Sequence, residues 1–193
     1  MLFRSRALAR DNLEVFLRES FDAVITNAAG CGSTLKEYPQ LFQTEDAEYP
    51  KSIAFQNKMR DVSEFLADLG LVAPLKELPL RVTYQDSCHL AHGQRIREAP
   101  RKLIRAVPGV ELVEMTRSDD CCGSAGIYNV TQTAASMEIL ADKMRYAAAT
   151  NAPVIVTANP GCLLQLRAGA AIDRKSTRLN SSHIQKSRMP SSA

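Results

Sequence analysis

The sequence predicts an α/β fold in which a mainly parallel sheet carries helices on both of its faces. Two observations lead to this prediction. Short apolar runs typical of strands alternate with segments of helical periodicity, and one strand-and-turn pattern occurs twice. The length of 193 residues, with 45% hydrophobic and 23% charged residues, is typical of one globular domain or slightly more.

The first half of the chain alternates helix, strand and helix. Residues 5–19 carry Leu13, Phe16 and Leu17 at helical spacing, and the apolar run at residues 23–26 follows as a short strand. A longer helix is predicted next, and Gly70 is placed to end it. The apolar face of this helix consists of Phe55, Met59, Val62, Leu66 and Leu69.

The second half resumes this alternation after a proline-containing connection around Pro74 and Pro79. Strands are predicted at residues 80–84, 110–115 and 154–157. A short helix at residues 100–107 opens with Pro100, which suits the first turn of a helix. Another helix precedes the last strand, with an apolar face made of Met137, Leu140, Met144 and Ala148.

An internal repeat relates the two halves. Residues 23–31 align without a gap on residues 154–162, so that apolar positions coincide and Cys31 falls on Cys162. Three further identities follow from this alignment, namely Thr26 with Thr157, Gly30 with Gly161 and Leu35 with Leu166. The chain is therefore expected to hold the end of one structural unit and most of a second.

The cysteines fall just beyond the carboxyl ends of predicted strands. They are Cys31, Cys88, Cys121, Cys122 and Cys162. In an open parallel sheet this edge is where ligands bind, and helix N-termini there favour thiolates. The adjacent pair Cys121-Cys122, followed by Gly123, suits two ligands of one polynuclear metal centre.

Other interpretations of the cysteines stay open at this point. Zinc could be bound if His89 or His92 joined Cys88, although no C-x-x-C pair is present. The adjacent cysteines could form a redox dithiol, and free cysteines are also common as small buried residues. No hydrolase triad and no G-x-G-x-x-G nucleotide motif is found.

The termini and composition bear on location. The amino terminus lacks a secretory signal, no apolar run has the length of a membrane span, and the five cysteines then favour a reducing compartment.

Residues 173–193 carry five basic residues against one acidic residue, without apolar periodicity. We expect a disordered, non-native tail that resembles a translated sequencing adapter, with the native chain stopping near Ile172. It is not interpreted as a nucleic-acid arm.

The cysteine spacing resembles the cysteine-rich CCG domain. Cys88 lies 32 residues before Cys121-Cys122-Gly123, and 39 residues separate Cys122 from Cys162. A subunit of heterodisulfide reductase, the lactate-utilisation iron–sulfur protein and the glycolate oxidase iron–sulfur subunit carry such domains in duplicate. The last of these looks most similar, through the stretches AVITNAAGCGSTLKEY, DSCHLAHGQRIREAPRKLI, CCGSAGIYNVTQ and NPGCLLQLRAG.

The resemblance implies a pair of CCG units of which the first is truncated, so that the chain is a carboxyl-terminal fragment. Residues 1–45 would end the first unit, residues 46–79 would form a helical connection, and residues 80–172 would form the second unit. The implied metal ligands are Cys88, Cys121, Cys122 and Cys162, which would hold one 4Fe–4S cluster. Cys31 is carried over as a cofactor-binding candidate from the first unit, and no catalytic residue is implied.

The function implied by the resemblance is electron transfer within a glycolate or other 2-hydroxy-acid oxidase complex. A FAD-containing subunit would oxidise the substrate, and the cluster would pass electrons toward quinone with other subunits of the complex. The location would be cytoplasmic, with at most peripheral membrane association, and the fragment alone would be inactive. The alternatives are a lactate-utilisation or heterodisulfide-reductase-like protein, or a zinc-stabilised interaction module without a redox role.

Overall fold

A computed structural model describes residues 2–172, and the predicted tail at residues 173–193 lies outside the described part. The helices are α1 (Leu2–Leu17), α2 (Ala29–Lys36), α3 (Tyr49–Lys58), α4 (Val62–Leu69), α5 (Glu98–Arg105), α6 (Tyr128–Thr131), α7 (Thr133–Ala149) and α8 (Pro160–Ile172). The strands are β1 (Val24–Thr26), β2 (Met59–Asp61), β3 (Leu80–Gln85), β4 (Val110–Glu114) and β5 (Val154–Thr157). A 3₁₀ turn at Tyr38–Leu41 and a π-helical turn at His89–Gly93 complete the described elements.

The chain divides into two compact units. Among the described residues, unit 1 comprises residues 2–73 and 89–103, and unit 2 comprises residues 74–88 and 104–172. Each unit contains its own small sheet, and all the strand pairs described are parallel. The predicted α/β class with parallel strands is therefore confirmed, but as two small sheets. Among the described residues, no helix combines the length and apolar character that crossing a membrane requires.

Unit 1 is built around an aromatic core. Helix α1 buries Leu13 and packs Phe16 and Leu17 against this core, as its periodicity predicts, and it also buries Ala9. The other buried members of this core are Tyr38, Phe42, Phe55 and Met59. The ring of Phe55 lies 5.7 Å from that of Phe16 and 5.7 Å from that of Tyr38, measured between centroids.

The long helix predicted after residue 50 is wrong as a single element. Residues Met59–Asp61 leave the helix and pair in parallel with β1, Met59 opposite Val24. The Asp61 carboxylate then accepts a hydrogen bond from the Ser63 backbone N–H at 2.9 Å and starts α4. Phe55 and Met59 are buried as predicted, but the interruption rotates the second segment and leaves Leu69 62% exposed.

Unit 2 contains a three-stranded sheet in the order β4-β3-β5. Its register places Leu80 opposite Val110 and Val82 opposite Val154. The central position of β3 explains why Val82 to Gln85 are all buried. Helices α7 and α8 pack together through Leu140, Met144 and Leu166, which confirms most of the apolar face predicted for α7.

The short helix of the second half begins earlier than predicted. Helix α5 spans Glu98–Arg105, so Pro100 lies inside its first turn instead of opening it. Proline is tolerated there because the first N–H groups of a helix have no carbonyl partner within it.

Candidate metal centre

Hydrogen bonds join the carboxyl ends of all three strands of unit 2. Gln85, the last residue of β3, accepts a bond from the Thr157 hydroxyl at the end of β5 at 2.7 Å. Asp86 is joined to the loop after β4, because its N–H donates to the Ser118 carbonyl at 3.0 Å and its carboxylate accepts from the Ser118 hydroxyl at 2.7 Å. Cys88 follows this anchored segment.

The loop that carries Cys121 and Cys122 is shaped by Gly123. This glycine has a φ of +90°, and a Cβ atom there would lie 2.5 Å from the Ser136 carbonyl oxygen. The Ser136 hydroxyl donates to the Gly123 carbonyl at 2.9 Å and accepts from the Gln165 amide at 2.9 Å. The loop is therefore bound to α7 and, through Gln165, to α8.

Cys162 lies in the first turn of α8, where backbone N–H groups lack helical partners and favour negative charge. The Asn159 side-chain amide donates to the Cys162 sulfur at 3.5 Å. Gly161 allows a close approach to the loop that carries the adjacent cysteines, since a Cβ atom there would lie 3.0 Å from the Ser124 hydroxyl oxygen.

The structure brings four of the predicted cysteines together in unit 2. Hydrogen bonds between thiols connect Cys121 with Cys88 and Cys122, and connect Cys122 with Cys162. Cys122 and Cys162 are buried, whereas Cys88 and Cys121 keep partial exposure. The four sulfur atoms thus form one continuous group at the edge of the sheet where the strands end.

The contacts between these thiols shift their pKa values in opposite directions. Hydrogen bonds to Cys121 and Cys162 raise the pKa of Cys122, and its burial acts in the same direction. The pKa of Cys121 is lowered by the Cys122 and Cys88 thiols, with a further contribution from the Gly123 N–H, which donates to its sulfur at 3.3 Å. Hydrogen bonds from Cys122, Asn159 and Ser87 lower the pKa of Cys162 to about 7. Thiolate character is therefore available for binding soft metals.

Lys143 is a buried residue of this region that the sequence analysis missed. It is 1% exposed, and its ammonium donates to the carbonyl oxygens of Arg117 at 2.7 Å and Ser118 at 3.2 Å. Burial lowers its pKa, and the charges of Asp120 and Cys122 oppose that shift. The sequence feature that could have revealed Lys143 is its position, because a charged residue there falls on the apolar face of α7. The buried residues of this helix are Ser136, Leu140, Lys143, Met144 and Ala147.

The remaining predicted ligands lie in unit 1. Cys31 is exposed on α2, and no second cysteine belongs to that unit. His89 and His92 lie in the π-helical turn, and the His92 ring nitrogen is 3.3 Å from the Arg97 guanidinium. Within residues 2–172, no three His, Cys, Asp or Glu side chains already surround a position for a single metal ion.

A family profile described as "Cysteine-rich domain" (CCG) matches residues 2–36 and 82–167. These two segments include every cysteine of the chain. They also include both copies of the internal repeat, since residues 23–31 fall in the first segment and residues 154–162 in the second.

Three curated relatives show the range of similarity. The chain is 42% identical over 181 residues to the "Probable glycolate oxidase iron-sulfur subunit" of Bacillus subtilis, covering 93% of the chain and 41% of that protein. It is 34% identical over 149 residues to a subunit of the fumarate reductase (CoM/CoB) of Methanothermobacter marburgensis, covering 77% and 28%. It is 30% identical over 181 residues to lactate utilization protein A of Bacillus licheniformis, covering 93% and 74%.

Proposed function

Because the chain belongs to the family of cysteine-rich CCG-domain proteins, we propose that it is an iron–sulfur electron-transfer subunit of an oxidoreductase complex. The observation that carries this proposal is the group of four contacting thiols at the strand ends of unit 2. The names of the relatives support it, since two of them are given as subunits of an oxidase and a reductase, and one of these as an iron–sulfur subunit.

The donor atoms of this site fit an iron–sulfur cluster. All four candidate ligands are sulfur atoms, which such clusters take from cysteine thiolates. Two of the sulfur atoms also accept N–H hydrogen bonds, Cys121 from the Gly123 backbone and Cys162 from the Asn159 amide. Hydrogen bonds of this kind tune the reduction potential of a bound cluster. We propose Cys88, Cys121, Cys122 and Cys162 as the ligands of one 4Fe–4S cluster.

In this mechanism the protein holds and insulates a group that exchanges single electrons. Cys122 and Cys162 are buried and shield their side of the site from water, whereas Cys88 and Cys121 lie nearer the surface. The hydrogen bonds that tie Gln85 to Thr157 and Asp86 to Ser118 keep the ligand-bearing segments in place. No side chain needs to make or break a covalent bond with a substrate.

The ligand assignment is tested by anaerobic reconstitution of the chain with iron and sulfide. We expect about four irons, broad absorption near 400 nm and an EPR signal after reduction. Cys122→Ser should lose the cluster, because it removes the thiol that contacts two others. Cys31→Ser is the matched control and should load fully, since Cys31 is exposed in unit 1. Stoichiometric zinc without iron or sulfide would instead support a zinc-stabilised module.

We further propose that the complex oxidises a 2-hydroxy acid, with glycolate as the first candidate. The support is the 42% identity to a protein named as a glycolate oxidase subunit. The chain spans 41% of that protein. We propose a FAD-containing subunit as donor and quinone as the eventual acceptor, with the complex on the cytoplasmic side of the membrane. In the purified complex, glycolate should reduce the cluster faster than lactate, as followed by EPR; the reverse order would assign the chain to lactate utilisation.

A further inference from the structure

Lys143 is a buried charge next to the four-thiol group. Its side chain extends from α7 and ends at the carbonyl oxygens of Arg117 and Ser118, which immediately precede the segment Asp119–Cys122. Lys143 and Cys121 line the same cavity of about 260 Å³. A lysine that is 1% exposed is uncommon in a protein core, and its burial requires compensation from nearby partners.

The groups around Lys143 favour a positive charge on its nitrogen. The two carbonyl oxygens accept its N–H groups, and the carboxylates of Asp86, Asp119 and Asp120 interact with it favourably. The thiols of Cys121 and Cys122 also interact electrostatically with it. The ammonium of Lys143 therefore attracts both the loop carboxylates and the cysteine sulfur atoms.

We propose that the buried Lys143 ammonium raises the reduction potential of the cluster held by Cys88, Cys121, Cys122 and Cys162. This inference rests on the proposed function, because it needs the cluster to be bound. On reduction the cluster takes one electron from a one-electron donor, such as a reduced flavin, and its net charge becomes one unit more negative. No proton or ligand is exchanged at Lys143. A nearby positive charge of low solvent exposure stabilises the more negative state.

The direct test is a redox titration of the reconstituted chain, followed by EPR or visible absorption. Lys143→Met should lower the midpoint potential, and Lys143→Arg should leave it close to that of the unmodified chain. Lys102→Met is a control for the loss of a lysine–carbonyl hydrogen bond, since Lys102 is exposed and donates to the Ala67 carbonyl in unit 1. The Lys143→Met shift should persist at high ionic strength, because buried charges are screened little.

A second variant removes a negative charge near the site and leaves Lys143 in place. Asp120→Asn removes a carboxylate that interacts with both Lys143 and Arg117, and it should raise the midpoint potential. Because Asp120 adjoins the ligand Cys121, this rise shows that the site responds to a neighbouring charge, and the Lys143 variants test the lysine itself. If Lys143→Met does not load a cluster, Lys143→Gln decides the matter, since it removes the charge but keeps an N–H donor for the Arg117 and Ser118 carbonyls; a lowered midpoint potential is expected.

The outcomes separate this inference from the proposed function. A cluster that loads in the unmodified chain and in Lys143→Met with the same potential would overturn the role of Lys143 and leave the electron-transfer proposal standing. An unchanged potential in Lys143→Gln would also overturn that role. A folded, unmodified chain that takes up no iron and sulfide would overturn both proposals.

Discussion

Gly123 combines two constraints that make it difficult to replace. Its φ of +90° is a conformation that side-chain-bearing residues seldom adopt, and the space for a Cβ atom is already taken by the Ser136 carbonyl. Gly126, three residues later, has a φ of +64° but no atom within 4 Å of the position of a Cβ. A side chain at Gly126 would therefore cause backbone strain alone, whereas a side chain at Gly123 would cause both backbone strain and a steric clash.

We expect Gly123→Ala to destabilise the chain by more than the about 1–3 kcal/mol that a strained backbone conformation alone costs. Gly126→Ala should stay within that range, because it meets no neighbour. Denaturant unfolding of the two variants measures the difference. Equal losses of stability would show that α7 moves away from the loop at no cost.

At the same scale, the sequence identified the cysteines but not their surroundings. Parallel strands end on the same side of a sheet, so the sequence alone predicts that Cys88, Cys121, Cys122 and Cys162 lie close together. Lys143 and Gln165 could not be predicted in this way, because their importance comes from tertiary contacts with the carbonyl of Ser118 and the hydroxyl of Ser136. Cys31 as a cofactor ligand stays a prediction.

At the scale of elements, the interrupted helix shows how apolar spacing alone can mislead. Phe55 and Met59 keep the same buried side although α3 ends between them, so the spacing continues across a change of structure. Pairing with β1 and the hydrogen bond from Ser63 to Asp61 create that change. Neither is visible in hydrophobic periodicity, which does not reveal which distant segment offers a partner strand.

Two substitutions in this region should therefore differ strongly. Phe55→Ala removes a fully buried ring from the core of unit 1 and should cost about 3–5 kcal/mol of unfolding free energy. Leu69→Ala, on the same predicted face but 62% exposed, should change stability by about 0.5 kcal/mol or less. Chemical denaturation of both variants measures the two losses of unfolding free energy. Similar losses would contradict the interruption of the helix and support a single continuous helix.

At the scale of the whole molecule, alternation predicted the α/β class well. Every strand expected from the sequence is present within residues 2–172, and every described pairing is parallel. The division into two small sheets was not predicted, since alternation shows where strands occur but not which of them share a sheet. The assignment of residues 1–45, 46–79 and 80–172 to parts of CCG units stays a prediction.

Cluster binding should also stabilise the whole chain, because a ligand that binds only the folded state shifts the unfolding equilibrium. The reconstituted protein is expected to melt at a higher Tm than the metal-free protein under anaerobic conditions. In hydrogen exchange, the largest gain in protection should fall on the ligand segments around residues 86–88, 118–124 and 159–162. The Cys122→Ser variant should gain neither, and a gain in that variant would place the metal elsewhere.

The strand order of unit 2 has a consequence for how the protein is made. Of the strands within residues 2–172, β5 is the last to leave the ribosome, yet it pairs with β3 through Val82 and Val154, across the whole of β4 and α7. Pairings so distant along the chain form late in folding. The fourth sulfur joins the other three only once this pairing is in place, so cofactor delivery is expected to follow translation. A nascent polypeptide halted before Cys162 would present an incomplete, oxidisable trio of thiols to the cell.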